Sequence, residues 1–125
     1  GASCHVTHDN SGLTNVSTKE NDTVIVGDQR RCIVTGKGDL NLLTTDNTCL
    51  TLKHVRVVKS IGKGIICIGK LLKDGGILEG SGSELRIKIN NVNISFIENE
   101  KDGLYYAKLQ RMRTKKGEYC CVFWF

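Results

Sequence analysis

Short runs of β-branched and apolar residues, each cut off by Gly, Asn or Asp, recur along this chain at intervals of about ten residues. Thr23-Val24-Ile25-Val26 stops at Gly27-Asp28, and Cys32-Ile33-Val34-Thr35 stops at Gly36-Lys37-Gly38. Leu40 to Thr44 and Cys49 to Leu52 flank Thr45-Asp46-Asn47, which predicts a hairpin. Val55 to Val58 alternates as a half-buried strand does. Ile65 to Ile68 is continuously apolar, as in a strand buried on both faces. Leu71 to Asp74 reads as one helical turn stopped at Gly75-Gly76. Leu85 to Ile89 and Val92 to Ile97 both alternate strictly about Asn90-Asn91, the clearest hairpin of the chain. Such a rhythm argues for an all-β barrel or sandwich. Pro is absent, so the turns must be built from Gly, Asn and Asp.

With 125 residues the chain suits one domain around one small core. No run approaches the ~18 apolar residues of a membrane helix, so no membrane partner is expected. The net charge is +5. Much of the excess lies in a basic run, Lys108, Arg111, Arg113, Lys115 and Lys116, in which no aromatic interleaves. That run is expected to be a solvated face rather than a stacking platform for nucleic acid. Cysteines at 4, 32, 49, 67, 120 and 121 follow no framework spacing, and free thiols in a reducing compartment are expected. The aromatic end, Phe123-Trp124-Phe125, either packs on the core or leads into further chain.

Gly1-Ala2-Ser3-Cys4-His5 resembles the tail of Asp-Ser-Gly-Ala-Ser, the active-site loop of retropepsin-like aspartic proteases in the form found in copia-type LTR retrotransposon (gag-pol) polyproteins. Further segments resemble that family in the same order. Val24 to Arg31 is similar to its Val-x-x-Gly-Asp-Gly, and Val34 to Gly38 to its Val-x-Gly-x-Gly. Leu52 to Val58 resembles Leu-Lys-Asn-Val-x-Tyr-Val, and Ile65 to Leu72 resembles Asn-Leu-Ile-Ser-Val-Gly-Lys-Leu. Asp102 to Tyr106 looks like the junction with the pre-integrase segment. The resemblance departs where Ile33 and Lys59 stand for the family's Pro, Gln29 for a Gly and Gly64 for an Asn.

The resemblance implies a retropepsin-like closed barrel with one short helix. It places a protease domain over residues 1–103, without its first strand and catalytic Asp. Residues 104–125 would begin a pre-integrase-like or non-native segment. The Asp is expected two positions before Gly1, outside this chain. Gly1, Ala2 and Ser3 would belong to the active-site loop. Gly27, Asp28, Gly36 and Gly38 would belong to a flap over substrate, and Ile65 and Ile66 to the strand behind the active site. The implied partner is a second copy, making a homodimer that cuts its own polyprotein or peptide substrate. Nucleic acid would be met only through neighbouring polyprotein domains, within the cytoplasm or nucleus. Neither a cofactor nor a metal is implied.

Other chemistries are less well served by the residues. Cys4, His5, His8 and Asp9 include metal-ligand types, but no second pair at zinc spacing follows. Cys4 and His5 are sequence neighbours, which point to opposite faces on a strand and cannot form a nucleophile pair. Asp9, Asp28 and Asp46 are not followed by Ser/Thr-Gly. Gly36-Lys37-Gly38 is too short for a phosphate loop. A catalytically dead β module acting in self-association or partner binding is the alternative function.

Overall fold

The computed structural model describes residues 4–18, 22–26, 30–112 and 119–122. In order, its strands are β1 (Val6–Thr7), β2 (Leu13–Ser17), β3 (Asp22–Val26), β4 (Arg30–Val34), β5 (Gly36–Leu43), β6 (Cys49–Val57) and β7 (Gly64–Cys67). After the helix α1 (Ile68–Lys73), the one helix among the described residues, come β8 (Ile77–Ser81), β9 (Glu84–Ile89), β10 (Val92–Glu98), β11 (Tyr105–Ala107), β12 (Gln110–Arg111) and β13 (Tyr119–Val122). The molecule is therefore nearly all β, with one short helix, as the turn rhythm predicts.

Eleven strands form one sheet in the order β12-β5-β6-β1-β7-β13-β11-β10-β9-β8, with β2 also paired to β5. The last link of a ring is covalent. Only Lys108 and Leu109 separate β11, which pairs with β13 and β10, from β12, which pairs with β5. Burial alternates straight through the gap: Ala107, Leu109 and Arg111 are buried, Lys108 and Gln110 exposed. Residues 105–111 thus act as one strand that joins the two sides of the sheet into a barrel, and they fill its interior. Strands β8 to β10 continue from it as a meander.

The core follows from two-residue periodicity. Ile87 and Ile89 of β9 and Val92, Ile94 and Phe96 of β10 point inward, while Arg86, Lys88, Asn93 and Ser95 point out. They join Leu40, Leu42, Leu50, Leu52, Ile66, Leu71 and Leu109 in the main cluster. Turns use the residues expected of a chain without Pro. Asn90 and Asn91 take φ of 50° and 63°, the left-handed pair that a tight hairpin between right-twisted strands requires. At the end of α1, the Gly76 N–H bonds to Leu71 O at 2.9 Å and the Gly75 N–H to Leu72 O at 3.2 Å. Gly75, at φ 99°, supplies the reversal for this helix stop.

Two local expectations shift. β4 ends at Val34, just before Gly36 as expected, but Gly36-Lys37-Gly38 opens β5 rather than forming a turn, because a barrel strand here must let neighbours come close. A Cβ on Gly38 would stand 3.0 Å from Thr14 O, and one on Gly36 would stand 3.3 Å from Ser17 O, both carbonyls of β2. Val55 to Val58 is not a separate strand but the continuation of β6 through a register shift opposite Gly38 and Leu40. At that shift His54 holds φ 57° and gives its N–H to Asp39 Oδ1 at 3.4 Å.

Truncating Leu109 to Ala is expected to destabilise the protein by about 2–5 kcal/mol, the range for a buried Leu. Urea unfolding measures this. A change within about 0.5 kcal/mol, as at ordinary surface positions, would show that residues 105–111 lie outside the core.

Candidate functional site

Residues 4–7 thread the middle of the barrel wall. β1 runs parallel to β6 and antiparallel to β7, with Val6 opposite both Arg56 and Ile65. The Arg56 and Val58 N–H groups bond to His5 O at 2.9 Å and Thr7 O at 2.8 Å. The segment is therefore hydrogen-bonded on both edges.

Over this segment stands a second, separate sheet, the β3–β4 hairpin. Val24 lies opposite Cys32, and these side chains face inward together with Val34. They pack with Cys4, Val6, Val58, Ile61 and Ile65 into an apolar cluster distinct from the main core. The hairpin's other face turns to solvent and carries Ile25 and Ile33, 48% and 72% exposed. A two-stranded hairpin tied down mainly by one small apolar cluster can open at lower cost than the eleven-stranded sheet.

Of the residues singled out in the sequence, Ile65 pairs directly with β1 and Ile66 is fully buried beside it. Gly36 and Gly38 are buried in β5, past the base of the hairpin. Gly1, Ala2, Ser3, Gly27 and Asp28 lie outside the described residues. Cys32 and Cys49 are free thiols. His8 and Asp9 lie 3.3 Å apart and both meet Arg111, and no metal-binding group of three His, Cys, Asp or Glu exists among the described residues.

Each carboxylate in the polar networks is committed to neighbours. Burial works to raise the Asp9 carboxyl, but hydrogen bonds from Ser11 and the Arg111 guanidinium outweigh it and hold it below its ordinary value. Asp39 is held low by the Asn15 amide at 3.0 Å, against desolvation, with help from the Lys53 ammonium at 3.1 Å. Asp46 is lowered by the Thr44 hydroxyl, and Asp102 by the Tyr106 hydroxyl at 2.6 Å. A general acid needs a carboxyl that keeps its proton, and these four give theirs up readily.

Arg111 is the polar residue that sequence reasoning missed. Its side chain is buried, reaches Asp9, donates to Ser11 Oγ at 3.0 Å and lies 3.0 Å from His8 Nδ1. It therefore ties the β1–β2 connection to the closing strand, where a solvated basic face was expected. The available signal was the alternation of Ala107, Leu109 and Arg111, an inward-facing series hidden within a basic run. Thr7 is also buried, and its Oγ1 has no hydrogen-bond partner among the described residues.

His5 is 1% exposed and accepts the Cys67 N–H on Nδ1 at 3.0 Å. Burial, aided by the Lys70 charge, pushes its pKa down from 6.5 to about 3. The folded state thus keeps His5 neutral where the unfolded chain would bind a proton. Stability must fall as pH drops below 6.5 and go on falling towards 3. The limiting slope is about 1.4 kcal/mol per pH unit. The lowered Asp carboxyls add to the loss only below their unfolded value of 3.8. Urea unfolding at a series of pH values is expected to show the decline between 6.5 and 3.8, and a His5→Gln variant to flatten it.

A family model described as Pol polyprotein, beta-barrel domain matches residues 1–76. The match covers β1 to α1, including the hairpin and the strand pair around residues 4–7. No curated protein and no solved structure matches the chain. The chain belongs to the family of Pol polyprotein β-barrel domains.

Proposed function

We propose that this Pol polyprotein β-barrel chain is the retropepsin-like aspartic protease region of a copia-type retrotransposon polyprotein. The observation that carries the reading is the hairpin seated over the strand that follows residues 1–3, with β7 crossing alongside that strand. A flap above an active-site loop and a buried strand behind it are the parts that the resemblance implies. The segments that supply them here are the ones whose sequences resemble the family.

Aspartic protease chemistry needs two carboxylates sharing one proton, so that one activates water while the other protonates the scissile carbonyl. In a chain of this size each copy contributes one, so the active form is a homodimer with its two-fold axis at the loops. Gly1 and Ala2 would let the two backbones approach there. The hairpin would then close over the bound peptide and exclude water. The carboxylates bonded to Arg111, Lys53 and Tyr106 serve as structural anchors in this reading.

Extending the chain upstream by Asp-Ser is expected to yield a dimer that cuts peptides from its own polyprotein and is blocked by pepstatin. Replacing that added Asp by Asn is expected to lower kcat by about 10^4-fold or more, as removal of a catalytic group does. The 125-residue chain alone is expected to show no turnover. Pepstatin-sensitive cleavage by the unextended chain would overturn this assignment of the catalytic Asp. The exposed apolar face of Ile25 and Ile33 favours a second reading, a catalytically dead module that self-associates. A stable dimer that stays inactive with Asp-Ser restored would select it.

A further inference from the structure

Side chains alternate across the segment at residues 4–7. Cys4 and Val6 face the hairpin cluster, while His5 points to the other side of the strand. There it reaches a groove of about 550 Å³ between β6, α1 and the β9–β10 turn. That volume lies within the range of small-molecule sites. Leu50, Leu52, Leu71 and Val92 wall the groove.

His5 is nearly inaccessible, yet its ring is incompletely bonded. Nδ1 accepts the Cys67 N–H, so the neutral ring carries its proton on Nε2. Among the described residues nothing accepts that proton, and His5 lines the groove. A ring N–H on the groove lining can be completed by water or by a ligand. Lys70 also lines the groove, its Nζ donating to Lys53 O at 3.2 Å and retaining further protons to donate. Lys53 adds a second ammonium to the lining, with Asp74 as the one carboxylate on it. This part of the lining is built rather than incidental. Asp39 accepts both the Lys53 ammonium and the His54 N–H, and His54 is held at φ 57°, a conformation that costs energy for a residue with a Cβ.

We propose that this groove binds a small carboxylate with a short apolar body, its oxygens accepting from His5 Nε2–H and Lys70 Nζ. The His5 ring offers a donor to the groove, which favours an acceptor head. The neighbouring ammonium selects an anion over an alcohol, because charge-assisted hydrogen bonds are the stronger ones. The leucine and valine walls select an apolar body over a bare polyanion, which Asp74 would also repel. The site lies on the opposite side of the strand from the proposed peptide cleft and is independent of the protease reading.

Hexanoate, hexanol and inorganic phosphate titrated into the full chain test this, with NMR of the His5 ring nitrogens and calorimetry as readouts. Hexanoate is expected to shift the Nε2 signal and to bind about tenfold or more tightly than hexanol, the usual margin for a hydrogen bond to a charged group. Lys70→Met is expected to weaken hexanoate about tenfold while leaving the melting temperature and the hexanol affinity unchanged. Equal affinity for hexanol or for phosphate would overturn the proposal. So would hexanoate binding that leaves the His5 signals in place, or no hexanoate binding at all.

Discussion

Everything in this fold depends on one seven-residue stretch, Tyr105 to Arg111, making hydrogen bonds on two different sides of the molecule. Its first half pairs with β10 and β13 and its second half with β5. Without that stretch, β5 and β13 would be left with unpaired backbone groups, and a sheet of this size would have open edges. With it, apolar side chains of β5, β6, β7, β9 and β10 share one core. Arg111 then brings a charge into that interior, where the alternation leaves no outward position for it. Its guanidinium is satisfied by Asp9, Ser11 and His8, so the end of the barrel also fixes the start. A buried charge of this kind is tolerated only because its donors are taken up together.

The threading of residues 4–7 between β6 and β7 is the second constraint. It separates the two proposed sites by the two faces of one short strand. One face carries Cys4 and Val6 to the cluster beneath the β3–β4 hairpin, where the protease reading places substrate. The other carries His5 to the groove against α1. Neutral His5 accepts a backbone N–H there, and the low pKa that burial imposes keeps it neutral into acid pH.

Much of the architecture was legible beforehand because it rests on local rules. Alternation from Leu85 to Ile97 marks inward and outward faces, and only one strand pairing satisfies both. Asn90-Asn91 can adopt the left-handed pair that the hairpin demands. Gly75-Gly76 stops α1 because the chain must reverse there. What escaped was set at long range. The sequence of residues 36–38 looks like a turn, yet it is extended, and the carbonyls of β2 come close enough at Gly36 and Gly38 to crowd a Cβ. The basic run looks uniformly solvated, yet Arg111 is buried, because register with Leu42 decides which of its side chains faces in.

By itself, then, the sequence determined an all-β chain, its hairpins, its helix stop and its kinship with Pol polyprotein β-barrel domains. These depend on residue chemistry and on neighbours within a few positions. Only the tertiary structure decided that residues 105–111 close the barrel, that Asp9 and Arg111 meet across 102 positions, and that His5 ends in a groove beside Lys70. Such contacts follow from strand order and register, and no short window of residues contains the information that sets them.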